Sequence, residues 1–64
     1  MTLEELKNYY KNAYEFERCT GMSHNNWPNW DLKGYIPIIS QIRIQKITSG
    51  VFKACLSDTT EGLN

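Results

Sequence analysis

Apolar side chains recur at helical spacing at the start of the chain. Thr2 and Glu5 have the spacing of a capping box, in which a hydroxyl and a carboxylate each accept a hydrogen bond from a backbone amide at a helix start. The apolar residues that follow fall on one helical face: Leu3, Leu6 and Tyr10. The pattern predicts a first helix that starts at Thr2.

A second helix is predicted for residues 13–19, with Asn12 as its N-cap. Ala13 and Phe16 are expected to point inward, since they lie three residues apart on one face. Residues 20–22, Thr-Gly-Met, are typical of a turn. Gly21 can adopt the left-handed conformation that ends a helix, because it has no Cβ atom.

The segment after the turn combines two tryptophans, three asparagines and a proline. Ser23 is placed to cap a helix over residues 24–33, and Gly34 is placed to end it. The side chains expected to point inward are Trp27, Trp30 and, as a further candidate, Leu32. The tryptophans are expected to form core rather than platforms on which bases stack.

Pro28 leaves two interpretations of this segment. If the helix starts after Ser23, the proline is its fifth residue, lacks the amide that should bond to His24, and costs about 3 kcal/mol. If the regular helix starts near Asn26, the proline lies in the first turn, where it is tolerated. We hypothesise the second arrangement, in which residues 23–26 form a loose turn or 3₁₀ segment that presents polar groups.

A fourth helix is predicted from Ile38 or Ser40 to Thr48. Its isoleucines also favour a strand, but their spacing and the length of the run favour a helix. Gly50 is expected to break it.

Residues 51–56, with the sequence VFKACL, form the one good strand candidate. Residues 57–64 are predicted to be a flexible tail. The expected fold is therefore mainly α, with one domain over residues 1–56 that has four to five helices and a possible short strand at its end.

Composition excludes several function classes. A chain of 64 residues forms one domain, and it carries no apolar run long enough to cross a membrane and no secretory signal, so we expect a cytoplasmic protein. Cys19 and Cys55 are expected to be free, packed thiols. We find no phosphate-binding glycine loop, no nucleophile motif and no metal-ligand cluster. We therefore expect no enzymatic activity, no cofactor and no metal site.

Charge is balanced overall but uneven along the chain. Seven basic residues face seven acidic ones, which is weak support for nucleic-acid binding. Between residues 22 and 56, however, the only acidic residue is Asp31. The basic residues of that stretch are Lys33, Arg43, Lys46 and Lys53.

Two helices joined by a short turn with glycine are the pattern of a helix-turn-helix, whose second helix enters the major groove of DNA. Polar side chains fall where such a helix meets bases: His24, Asn25, Asn26 and Asn29. Asparagine pairs well with adenine, and Ser23 with the free amides beside it could bind a phosphate. Lys33 is placed for backbone contact. Each of these residues could instead be a solvated surface group or serve turn chemistry alone.

An ordered series of motifs carries a resemblance to a known family. It comprises Gly-Met-Ser at 21–23, Trp30, Gly-Tyr-Ile-Pro at 34–37, Gln41, Ile44, Ile47-Thr48, Gly50 and Lys53-Ala54. Over about residues 12–55 the chain resembles the small Cro-type and YdaS-like regulators of lambdoid phages and prophages. The resemblance implies a lambda-repressor-like, cytoplasmic transcriptional repressor in a bacterial host. Such a protein binds double-stranded operator DNA, often as a homodimer.

Carried over by position, the resemblance places base reading on His24, Asn25 and Asn29, with Asn26 between them. It places a phosphate contact near Asn12. In some family members the region that matches residues 51–56 forms a strand and dimerises.

Three residues depart from the family pattern, and Pro28 is the third of them. Glu17 stands where these proteins usually carry alanine, four residues before the turn glycine, and Thr20 replaces an apolar residue. Either the tryptophans hold the helices apart, or Glu17 swings outward. Neutral charge, together with Glu15 and Glu17 beside the turn, motivates a second interpretation. In it the same scaffold binds a protein, as an antitoxin or an inhibitor of a host complex.

Overall fold

The structure is a computed structural model that describes residues 1–59. It is a small, mainly helical domain. The helices are α1 (Leu3–Tyr9), α2 (Ala13–Thr20), α3 (Asn26–Lys33) and α4 (Ile38–Ile47), followed by a 3₁₀ helix at Leu56–Thr59. None of the helices in the described range is long and apolar enough to cross a membrane.

Local capping signals set the start of α1 and both ends of α2, as predicted. Thr2 Oγ1 accepts from the amide of Glu5 at 3.2 Å, and the amide of Thr2 donates to Glu5 Oε1 at 2.8 Å. Asn12 Oδ1 accepts from the amide of Glu15 at 2.8 Å. Gly21 ends α2 with φ +77°, in the left-handed region that glycine enters without steric cost.

The third helix starts two residues later than it would if Ser23 were its N-cap. Asn25 occupies the N-cap position, and the regular helix starts at Asn26, so a helix over residues 24–33 is wrong and the alternative start is confirmed. The amide of Asn26 bonds to the carbonyl of Ser23, which is a turn of 3₁₀ type. Pro28 is thereby the third helical residue, where no intrahelical amide bond is lost.

An aromatic core joins α2 to α3. The Phe16 ring lies 5.6 Å from the Trp27 ring and 6.0 Å from the Trp30 ring, centroid to centroid. All three side chains are buried, which confirms the inward direction predicted for them. Leu32 is 89% exposed, so the prediction that it points inward is wrong. The remaining buried apolar residues are Met1, Leu6, Tyr10, Ile36, Ile44 and Phe52.

The fourth helix forms as predicted and turns a glutamine into the core. Gln41 and Ile44 are its buried residues, whereas Ile39 and Ile42 face solvent. Gln41 Oε1 accepts from the Met1 amino group and from the amide of Cys55, both at 2.9 Å. Its Nε2 donates to the carbonyl of Ile36 at 2.8 Å. One amide side chain therefore links three segments of the chain.

Residues 51–56 do not form the predicted strand. Phe52 is buried, with its ring 5.1 Å from that of Tyr9. Two backbone amides that a strand ladder would use are taken by glutamine side chains of α4: Ala54 donates to Gln45 Oε1 at 2.7 Å, and Cys55 donates to Gln41 Oε1. The segment is therefore a loop held to α4 by two hydrogen bonds from its backbone amides.

The predicted tail begins inside the described residues. Leu56–Thr59 forms the 3₁₀ helix, and Asp58 Oδ2 lies 2.8 Å from the Met1 amino group. Residues 60–64 of that tail lie outside the described residues. Both cysteines are free, but Cys19 and Cys55 are exposed rather than packed.

Candidate nucleic-acid interface

The outward face of α3 lies opposite the two buried tryptophans. Asn25, Asn29 and Leu32 are all exposed, and their spacings of four and three residues place them on one stripe of the helix. Asn25 is the N-cap residue, yet its side chain makes no capping hydrogen bond. No other bond of that side chain occurs within residues 1–59. Its amide is therefore free to meet a ligand.

Ser23 stabilises the turn rather than the helix. Its hydroxyl oxygen accepts from the amide of Asn25 at 3.2 Å, and its carbonyl accepts from the amide of Asn26 at 3.1 Å. Asn26, the first residue of α3, is half-buried, whereas Asn25 and Asn29 are exposed. Of the three asparagines, Asn25 and Asn29 are thus the more accessible.

His24 is attached to α2 by Glu17. Glu17 Oε1 accepts from the backbone amide of His24 at 2.9 Å and lies 2.6 Å from its ring Nδ1. The His24 ring stacks on Tyr14, with centroids 4.4 Å apart and an interplanar angle of 30°. Tyr14 and Glu17 lie three residues apart on α2, so one face of that helix holds the ring.

The two bonds from His24 stabilise the ionised form of Glu17. The ring hydrogen bond is the larger cause and the backbone amide the second, and together they hold the pKa of Glu17 below its ordinary value. The Glu17 side chain is 45% exposed and points outward beside the turn, which is the second of the two alternatives for this residue. The second departure, Thr20, also has a role: its hydroxyl donates to the carbonyl of Phe16 at 2.7 Å and accepts from the amide of Met22 at 3.1 Å.

Two of the three predicted phosphate contacts, Asn12 and Lys33, lie away from the start of α3. Asn12 is exposed, but its side-chain oxygen is already engaged as the N-cap of α2, about two helical turns before Gly21. Lys33 is exposed in the last turn of α3, with its Nζ 5.7 Å from the centroid of the Tyr35 ring. The structure thus gathers residues 23–26 and Asn29 at one end of α3, with Lys33 at the other.

The sequence pattern does not assign two of the residues that shape this site, Glu17 and Tyr14, to it. In the sequence, Glu17 stands out as a departure from a family pattern and as an acidic residue beside the turn, and Tyr14 does not stand out at all. Their spacing on α2 and the single histidine just past the turn are the signal that could have found them. No family model, curated protein or solved structure matches this chain.

Proposed function

We propose that this protein binds double-stranded DNA sequence-specifically, as a Cro-like repressor, with the start of α3 in the major groove. One observation carries the proposal. Asn25 and Asn29 stand one helical turn apart, both exposed, on the face of α3 that lies opposite the tryptophan core. Helix-turn-helix proteins contact bases in the same way, with polar side chains in the first turns of the helix that follows a tight turn.

The chemistry of the two amides suits adenine. An asparagine side chain can accept from the exocyclic amine of adenine and donate to its N7 atom. Four residues of helix advance about 6 Å, which is close to two base-pair steps of about 3.4 Å. Asn25 and Asn29 are therefore spaced to meet bases about two steps apart.

Phosphate contacts would hold the helix in register on the duplex. Lys33 supplies a cation at one end of α3, and the Ser23 hydroxyl and Asn12 are further donors on the same unit. Symmetric operators are read by two copies, and we extend the proposal to a homodimer on DNA. A dimer contact through a strand at residues 51–56 would have to break the bonds that the amides of Ala54 and Cys55 make to glutamine side chains of α4.

Selection from a randomised duplex library tests the proposal and defines the operator in the same experiment. Bound duplexes are sequenced, and the enriched site is then titrated with each variant by fluorescence anisotropy. Asn25→Ala and Asn29→Ala should each weaken binding by roughly 5- to 150-fold, since one good bidentate base contact is worth about 1–3 kcal/mol. Asn8→Ala, at an exposed asparagine of α1, is the matched control and should leave affinity unchanged.

If all three variants bind the enriched site as tightly as one another, the base contacts must lie elsewhere on the molecule. Failure to enrich any sequence, at low salt as well as moderate salt, would overturn the proposal.

A second candidate function, binding of a protein partner, is favoured by Leu32. This leucine is 89% exposed on the same stripe as Asn25 and Asn29. A large apolar side chain there suits an apolar partner better than a groove lined with phosphates. Leu32→Lys separates the candidates: it should tighten duplex binding by adding a cation, whereas a protein-binding module would bind no duplex with either residue.

A further inference from the structure

A single oxygen of Glu17 organises the residue that precedes the asparagine stripe. Oε1 accepts from the backbone amide of His24 and contacts its ring Nδ1, so both the chain and the ring of His24 are held from α2. The ring is also covered on one face by Tyr14. These contacts leave the imidazole with one orientation.

The same contacts decide which ring nitrogen carries the proton. An ionised carboxylate can only accept hydrogen bonds, so at a separation of 2.6 Å the Nδ1 atom must be the donor. In a neutral imidazole with its proton on Nδ1, the Nε2 atom has none and is an acceptor.

Nε2 is available to a ligand. It makes no hydrogen bond within residues 1–59, and the His24 side chain is 35% exposed. His24 directly precedes Asn25, the free N-cap of α3. The acceptor therefore stands next to the stripe that carries the proposed base contacts.

We propose that Glu17 is a positioning residue that fixes neutral His24 in the Nδ1–H tautomer, so that the protein with a neutral ring presents Nε2 as a hydrogen-bond acceptor at the start of α3. An acceptor selects bases with a donor in the major groove, the exocyclic amines of adenine and cytosine, and rejects the N7 and O6 acceptors of guanine. This consequence for DNA rests on the proposed function; the tautomer does not. Glu17, which departs from the family pattern, thereby acquires a role in specificity.

Nitrogen-15 NMR of the imidazole measures the tautomer directly. The chain has one histidine, so one set of ring signals reports on it. Spectra are recorded at increasing alkaline pH until the ring signals stop changing, so that the neutral form of the ring is the one observed. Wild-type protein should show the Nδ1–H pattern. Glu17→Ala should shift the ring toward the Nε2–H form that free histidine prefers.

Two further variants separate positioning from a general structural effect. Glu17→Gln keeps a side-chain carbonyl that can accept from Nδ1, so it should restore most of the Nδ1–H form. Tyr14→Leu removes the stacked ring but leaves the carboxylate, and it should keep the wild-type tautomer. An Nε2–H pattern in the wild-type protein, or an unchanged pattern in Glu17→Ala, would overturn the proposal even if every variant folds.

Library selection then tests the consequence for DNA. Wild-type protein should prefer adenine or cytosine at one position of its site, and Glu17→Ala should reduce that preference by about 2- to 12-fold, the range for one net hydrogen bond. Preferences at the asparagine positions should stay. An unchanged preference alongside a changed tautomer would overturn the role in specificity. If no duplex is enriched, the proposed function fails, and the ring spectrum still decides what Glu17 does.

Discussion

At the scale of single residues, Glu17 fixes the turn that precedes α3. Its carboxylate lies on α2, and it accepts a hydrogen bond from the backbone amide of His24, the residue before the N-cap of α3. The turn between α2 and α3 is thus held in two ways. The aromatic core of Phe16, Trp27 and Trp30 packs the two helices together, and the Glu17 carboxylate bonds to His24.

The lowered pKa of Glu17 predicts a pH-dependent contribution to stability. A carboxylate with a lowered folded-state pKa stabilises the fold above its unfolded pKa, about 4.3 for glutamate, and this contribution is lost as the pH falls through the folded value. Glu17→Gln should therefore be less stable than wild type at pH 7, and the difference should vanish toward pH 3. Urea unfolding at both pH values measures it. A difference of the same size at pH 3 would show that the ionised carboxylate is not what stabilises the turn.

At the scale of elements, cap residues predicted most of the helix ends. Thr2, Asn12, Gly21 and Gly34 act through neighbours within a few residues, so the sequence itself carries their effect. The start of α3 is harder to predict from the sequence, because Ser23 and Pro28 favour different first residues for the helix. The proline decided it, since a serine cap is worth about 1 kcal/mol whereas an interior proline costs about 3 kcal/mol.

Replacement of Pro28 tests that account of α3. Because the proline is the third helical residue, Pro28→Ala restores no intrahelical hydrogen bond. It should slightly destabilise the protein, by about 0.4–1 kcal/mol, through the greater freedom of the unfolded chain. Thermal and urea unfolding followed by circular dichroism would show this. A gain in stability of about 3 kcal/mol would mean instead that the proline strains an interior turn.

At the scale of the whole molecule, the arrangement depends on contacts that local patterns do not reveal. Gln41 bonds to groups 40, 5 and 14 residues away in the chain, so its burial could not be predicted from its surroundings in α4. The same holds for residues 51–56. Their composition favours a strand, but no strand pairs with them in residues 1–59, and the side chains of α4 take their amides.

The contribution of Gln41 to the free energy of unfolding can be compared with that of Gln45, one turn later in the same helix. Gln41→Met keeps the side-chain volume similar but leaves buried groups unpaired, and it should cost about 3 kcal/mol, because each such group costs about 1–3 kcal/mol. Gln45→Met, at an exposed glutamine of the same helix that holds one amide, should cost about 1 kcal/mol or less. Urea unfolding of both variants gives the comparison. Equal losses would contradict the central position assigned to Gln41.

Net charge bears on how the molecule would hold DNA. Between residues 11 and 34 the only cations are Lys11, Arg18 and Lys33. If all three meet phosphates, affinity per chain should fall by no more than roughly 40-fold between 50 and 200 mM salt, from a slope of about −0.9 per phosphate. Anisotropy titrations across that range measure the slope. A steeper fall would mean that cations outside residues 11–34, Arg43 and Lys46 among them, also contact phosphates.

A titration of ¹⁵N-labelled protein with duplex DNA at low salt, followed by two-dimensional NMR, tests the central claim most directly. The account predicts shift changes concentrated in residues 23–29. The side-chain amide signals of Asn25 and Asn29 should move, and that of Asn8 should stay in place. Changes confined to α1 or the exposed face of α4, or no change with excess duplex, would contradict DNA binding by the start of α3.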